Sequence, residues 1–159
     1  MAYTLKVDGM KEISDALTQM EDKAPAIAAQ ALYEGAAIVA DAVNKGAASI
    51  RTEPFTYKKE MRLPSPEEKE IVQKAEAGIA KFHNTGAEVD TSIGFRNAGY
   101  AELNGKTVPI PLIVNSINSG TSFMQKQPFI RKAGAQSAPK ALQVMKKKIE
   151  EAFEAITKK

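Results

Sequence analysis

Leu32-Tyr33-Glu34-Gly35-Ala36-Ala37-Ile38-Val39-Ala40-Asp41-Ala42-Val43-Asn44-Lys45-Gly46-Ala47-Ala48-Ser49-Ile50 is the longest clearly periodic stretch of this chain. Leu32, Ala36, Val39, Val43, Ala47 and Ile50 recur at steps of three and four, which places them on one side of a helix. Glu34, Asp41 and Lys45 fall away from that side. The many alanines, with Gly35 and Gly46, let something large approach this helix closely. A helix packed on a sheet is the expected use.

Towards the N-terminus, Pro25 restarts the chain after the polar break Glu21-Asp22-Lys23. Before it, Met10, Ile13, Leu17 and Met20 form another apolar stripe, opened by Asp8-Gly9. Tyr3, Leu5 and Val7 alternate with polar residues and predict a short half-buried strand. Towards the C-terminus, periodicity vanishes from Arg51 to Pro64, where Pro54 and Pro64 punctuate a long loop or projecting arm. Ser65-Pro66-Glu67-Glu68 has the pattern of a capping box, with proline at the first helical position. The helix it opens is predicted to carry Ile71, Ala75, Ile79 and Phe82 on one side and to stop at Gly86.

Val89, Thr91, Ile93 and Phe95 give the strongest strand alternation in the chain. Asn97-Ala98-Gly99 and Asn104-Gly105 are turn chemistry. Ile110, Ile113, Val114 and Ile117 return to helical spacing, with Pro111 in the first turn and Gly120 as the stop. Phe123 to Ile130 is predicted to be extended. The last helix then runs from about Ser137, or somewhat earlier, to Ile156, with Leu142, Met145, Ile149, Phe153 and Ile156 as its stripe.

At 159 residues the chain suits one domain, 1–159, with 51–64 as an extended loop or arm. The absence of cysteine excludes disulfides and thiolate metal sites. With 22 basic and 19 acidic residues, a net charge of +3 is too small to indicate nucleic-acid binding by composition. The first residues lack the pattern of a signal peptide. The apolar run Val108 to Ile117 is half the roughly twenty residues that a membrane span needs. A soluble, intracellular-type protein without membrane contact is expected.

No catalytic constellation emerges. His83 has no second histidine or cysteine to share a metal, and reads as a solvated residue near a helix end. Glu67, Glu68 and Glu70 cluster at a helix start, where carboxylates complement the backbone dipole. Phosphate loops, EF-hand spacing and nucleophile elbows are missing. The expectation is therefore no catalytic, cofactor-binding or metal residues, and no enzyme. Basic residues occur along the arm (Arg51, Lys58, Lys59, Arg62, near Phe55 and Tyr57), beside Phe129 (Lys126, Arg131, Lys132), and at Lys146-Lys147-Lys148. They predict a solvated face or a protein-facing rim more readily than a nucleic-acid stripe.

The remaining signal is Gly120-Thr121, a short spacer, and Gln127-Pro128-Phe129-Ile130-Arg131-Lys132-Ala133. Pro128 biases Gln127 to extended geometry, and two apolar residues follow. With Val7-Asp8-Gly9-Met10-Lys11-Glu12-Ile13 leading into a helix and the alanine-rich stretch Ala24 to Ile50, the chain resembles the neck or tail-completion proteins of long-tailed bacteriophages, minor tail protein Z-like. Such proteins have a Gly-Thr turn followed by (His/Gln)-Pro-Phe-hydrophobic-Arg-x-Ala and a terminal helix. The chain departs from them where Glu53-Pro54 follows Arg51-Thr52, and where Ile117-Asn118-Ser119 precedes Gly120. The segment Arg51 to Asp90 therefore looks like an elaboration.

The resemblance implies a structural virion protein, assembled in the host cytoplasm into a ring-like neck. Its partners would be other copies of itself and other phage neck or tail proteins, and DNA would pass without specific binding. Gly120, Thr121, Gln127, Pro128, Phe129, Ile130 and Arg131 are the motif and candidate interface residues. Phe129 either anchors a partner or fills the chain's own core. The alternative function is a basic nucleic-acid-binding accessory protein. The expected fold is α+β: a small, mainly antiparallel sheet of three or four strands, packed by the long helix and the C-terminal helix.

Overall fold

The computed structural model describes residues 3–5, 23–55, 61–84 and 89–157. The expected helix from Asp8, the Val7–Ile13 part of the resemblance, Tyr57, Lys58, Lys59 and Gly86 lie outside these residues. The architecture is α+β, with a long helix in the N-terminal half and another at the C-terminus. Among the described residues the elements run β1 (Tyr3–Leu5), α1 (Ala24–Ala48), α2 (Pro66–Ala75), β2 (Ala77–Asn84), β3 (Val89–Phe95), β4 (Tyr100–Leu103), β5 (Lys106–Pro109), α3 (Ile110–Ser119) and α4 (Phe129–Thr157). The strands form a three-stranded sheet, ordered β1-β3-β2, and a β4-β5 hairpin.

The chain divides into two compact units, the first built of Asp41–Gly78 and Phe95–Gln136. In it, the end of the predicted stripe is buried at Val43 and Ala47 of α1 and at Ile50, two residues past the helix end at Ala48. The capping box of α2 is complete. Ser65 Oγ accepts from the Glu68 backbone N–H, and the Glu68 carboxylate accepts from the Ser65 backbone N–H at 2.7 Å.

Helix α2 is shorter than its apolar spacing suggested, because it ends at Ala75 and Ile79 and Phe82 belong to β2. Tertiary contacts break it. Asn44 of α1 accepts the Ala77 N–H at 2.7 Å and donates to the Ala77 carbonyl at 3.1 Å, so both backbone groups of Ala77 are taken from a helical ladder. Glu76 between them sits at φ 50°, a conformation that costs a non-glycine residue about 1–3 kcal/mol. Its carbonyl is held by the Arg96 N–H, and that of Ala75 by the Asn97 N–H. His83 accordingly lies in a strand rather than near a helix end.

Asn104-Gly105 does more than turn the chain: it closes β4 on β5, pairing Leu103 with Lys106 and Tyr100 with Pro109. Both turn residues have positive φ, 52° and 73°, the geometry that favours Asn-Gly between twisted strands. Helix α3 follows directly, burying Ile110, Ile113, Val114 and Ile117 as expected.

The second unit comprises Ala2–Ala40, Ile79–Gly94 and Ser137–Lys159. Strand β1 runs antiparallel to β3, with Tyr3 opposite Ile93 and Leu5 opposite Thr91. Thr91 and Ile93 are buried, as their alternation predicts. The early α1 stripe, Leu32, Ala36 and Val39, is buried as well.

What approaches α1 closely here is a helix. A Cβ on Gly35 would lie 2.6 Å from Met145 Cγ of α4. Beside that contact Lys148 reaches Glu34 at 3.3 Å. The α4 stripe differs from the predicted one: Ala141, Met145 and Ile149 are buried, whereas Leu142 is 45% exposed and Phe153 39%. By length and composition, Pro25–Ala48 of α1 is also apolar enough to cross a membrane, a stretch that attention to Val108–Ile117 alone overlooks. Its apolar stripe is buried inside the protein, while Asp41 and Lys45 are exposed, as in the core helix of a folded domain.

Candidate functional site

The motif residues lie in the first unit, between the end of α3 and the start of α4. Gly120 terminates α3 and donates its N–H to the Ser116 carbonyl at 2.9 Å. Its φ of 76° and ψ of 168° fall in a region essentially reserved for glycine. A Cβ there would meet Lys126 Cβ at 2.8 Å and the Lys126 backbone nitrogen at 3.1 Å. Gly120→Ala is therefore expected to cost about 1–3 kcal/mol from backbone conformation alone. Urea unfolding of the purified variant, compared with a Ser119→Ala control one residue away, checks this value.

Thr121 explains the second letter of the Gly-Thr pair. Its hydroxyl accepts the N–H groups of Phe123 and Met124, at 3.1 and 3.0 Å, and its own N–H donates to the Met124 carbonyl. This local closure turns the chain and leaves the side chain of Phe123 71% exposed. The returning strand segment is paired across the loop: Arg62 N–H donates to Phe123 O, and Gln125 N–H to Arg62 O.

Gln127 is the residue that fastens this segment to the end of α1. Its side-chain amide donates to the Arg51 carbonyl and accepts the Arg51 N–H, both at 2.9 Å, as a neighbouring strand would. Its own N–H donates to Ile117 O at 2.7 Å. Pro128 is half-buried and immediately precedes α4. The expected extended run to Ile130 thus ends at Pro128, because Phe129 and Ile130 already form the first turn of a helix that starts well before Ser137. The Ile130 N–H, one of the donors that a helix start leaves open, donates to Oδ1 of the buried Asn118.

Phe129 is 6% exposed and Ile130 4%. A Cβ on Gly46 would lie 3.1 Å from the Phe129 carbonyl oxygen, so the bare glycine is what lets the two helices meet. Of the two readings of Phe129, the chain's own core is where it sits. Arg131, by contrast, is exposed.

The arm read from Arg51 to Pro64 is irregular where described, and its base is closed. Glu53 N–H donates to Pro64 O, and the Glu53 carboxylate accepts the Leu63 N–H. Arg62 spans the base. Its guanidinium makes a two-pronged contact with Glu68, 2.7 Å on each side, and lies 4.9 Å from the Phe55 ring centre. Burial alone would raise the Glu68 carboxyl, but hydrogen bonds from Arg62 and Ser65 and the charge of Arg62 outweigh it and hold the group below the usual carboxylate range. Glu70, exposed, is lowered by its bond to Lys74, and Glu67 is exposed. The three glutamates therefore do separate jobs, and the one buried among them neutralises Arg62.

An open groove of about 460 Å³ lies along this assembly. Its buried lining includes Ile50, Phe129 and Ala133. Lys45, Arg51, Lys126 and Lys132, all exposed, line it too, and among the described residues no acidic one does. In the sequence Arg51, Lys126 and Lys132 stand out separately, and nothing local marks a site role for Lys45, Asn44 or Asn118. A cluster assembled from residues so far apart in the chain has no local signature. Among the described residues no group of His, Asp and Glu is placed to hold a metal ion.

Comparisons with protein-family models, curated protein sequences and solved structures give no match to this chain.

Proposed function

We propose that this chain is a structural virion protein that joins or completes the tail at the head–tail neck of a long-tailed bacteriophage, through protein–protein contacts and without catalysis. The resemblance of Gly120-Thr121 and Gln127–Ala133 to neck and tail-completion proteins supports the assignment. The single observation that carries the contact role is the exposed apolar tip at Phe123. Phe123 is 71% exposed, yet its backbone is fastened by Thr121 and Arg62. Met61, next to Arg62 on the opposite limb of that bridge, is half exposed. A large apolar group held out on a restrained backbone loses little entropy when a partner covers it. Ring assembly by repeated head-to-tail contact requires two adhesive surfaces per subunit, and this tip suits one of them.

The nucleic-acid alternative rested partly on Lys146-Lys147-Lys148. Lys148 pairs with Glu34 and Lys147 stands 3.9 Å from Glu151, so much of that charge is answered locally. The test is electron microscopy of phage particles made without this chain. Full heads and finished tails left unjoined, with joining restored by the wild-type chain but not by a folded Phe123→Ser, Met61→Ser variant, is the expected result. Normal particles in its absence refute the reading.

A further inference from the structure

We propose that the groove between the end of α1 and the start of α4 binds an acidic segment of a partner polypeptide, carboxylates on its cationic rim and one apolar side chain on its floor. This rests on the protein-contact reading above in taking the occupant to be a polypeptide, and it adds a second surface, distinct from the Phe123 tip.

The chemistry of the lining selects the occupant. Among the described residues, Lys45, Arg51, Lys126 and Lys132 line the groove without a single carboxylate, in a chain whose acids nearly equal its bases. Among the described residues none of the four has an acidic group within ion-pair distance, whereas Arg62, Lys74, Lys147 and Lys148 each have one. Charges of one sign around a concavity concentrate the opposite sign there. Between them, the half-buried Ala42 and Pro128 offer apolar surface that a bare anion would leave uncovered.

Other occupants fit less well. Single-stranded nucleic acid binds by stacking bases on aromatic faces, and the one aromatic among the described lining residues, Phe129, is buried. A duplex would meet the rim cations through its phosphates and have nothing to place on the apolar floor. A second copy of this chain is also a poor match. Its exposed acidic band, Glu150, Glu151 and Glu154, is flanked in sequence by Lys146, Lys147 and Lys148 on one side and Lys158 and Lys159 on the other. That leaves a different protein with an acidic, singly apolar segment.

The groove is also rigid where binding needs it to be. The double hydrogen bond between Gln127 and Arg51 ties one wall to the other, and Phe129 packs at Gly46 beneath. A preorganised groove loses little on closing around an extended segment.

Fluorescence anisotropy with a labelled Asp-Glu-Leu-Glu-Asp peptide tests the proposal on the full chain. The peptide is expected to bind with an affinity that falls with salt, and the uncharged Asn-Gln-Leu-Gln-Asn peptide is not. The Lys45→Glu, Lys132→Glu variant should weaken binding by about tenfold or more. Reversing two lysines outside the groove, Lys74→Glu and Lys147→Glu, changes net charge equally and should leave binding nearly unchanged. If the groove reversal fails to fold, Lys45→Gln, Lys132→Gln serves in its place. Equal weakening by both reversals, equal binding of the neutral peptide, preferential binding of duplex DNA at the same residues, or no binding at all overturns the proposal. Absence of peptide binding alongside heads that still fail to join tails removes this inference and leaves the contact reading standing. Peptide binding alongside normal particles does the reverse.

Discussion

Glu68→Ala lowers the stability of the fold by about 3–5 kcal/mol in urea unfolding, the range for breaking a buried ion pair by removing one partner. The reason lies in what remains. Arg62 keeps its charge but loses both oxygens of a carboxylate that is only 5% exposed, while Ser65 loses the acceptor for its backbone N–H. A guanidinium without its carboxylate and a capping box reduced to the Ser65 Oγ bond then destabilise the base of the 51–64 loop together. Arg62→Met should cost less than Glu68→Ala, since an apolar side chain of similar length leaves no cation behind. Parity of the two variants would show that the pair acts by packing rather than by charge.

The same pair sets an acid limb of stability. Glu68 titrates below its ordinary value when folded, so its contribution is present above the unfolded carboxylate range, about pH 4.3, and is lost as pH falls through the folded value. Arg62, raised first by its hydrogen bond to Glu68, stays charged throughout this window and adds no slope of its own. Unfolding free energy is therefore expected to drop below about pH 4 in the wild type. In Glu68→Gln the drop should be shallower, although that variant starts from lower stability. Equal slopes in the two proteins would refute the assignment.

Met145→Ala is the second large effect, about 2–5 kcal/mol, and Leu142→Ala on the same helix should cost well under half of that. Met145 is 2% exposed and packs over Gly35, whereas Leu142 is 45% exposed. A double-mutant cycle sharpens the test. Gly35→Ala alone forces Met145 to shift and is expected to destabilise, despite alanine's advantage of about 1 kcal/mol in a helix. In the Met145→Ala background the new methyl has room, and the same change should stabilise. Additive effects would mean that the two residues do not meet.

These contrasts separate what was legible in the residues from what was not. Local chemistry was legible wherever one segment carries its own reason. The α1 stripe from Leu32 to Ile50, the Ser65 capping box, the alternation of Val89 to Phe95, and the spacing and glycine stop of α3 all describe elements present in the structure. Each is decided by periodicity or capping within a few turns of chain, and burial only agrees with it.

The differences arise where two distant segments compete for one backbone. Ile71, Ala75, Ile79 and Phe82 keep a helical step, yet α2 stops because Asn44, 33 residues away, takes both backbone groups of Ala77. Phe129 and Ile130 look like an extended anchor after a proline. They start a helix because Asn118 accepts the Ile130 N–H and Gly46 leaves room for Phe129. Leu142 outranks Ala141 in any hydrophobicity count, yet the face of α4 that meets α1 at Gly35 carries Met145, and Ala141 is buried while Leu142 is exposed.

The groove belongs to the same class. Lys45, Arg51, Lys126 and Lys132 are scattered cations in a nearly neutral chain until α1 and α4 bring them to one lining. The sequence by itself determined which stretches coil, which alternate and where helices are capped, since those preferences act over a few residues. Only tertiary structure decided where α2 stops, which face of α4 is buried and which charges share a surface. Those outcomes depend on hydrogen bonds and close packing between residues that no local pattern connects.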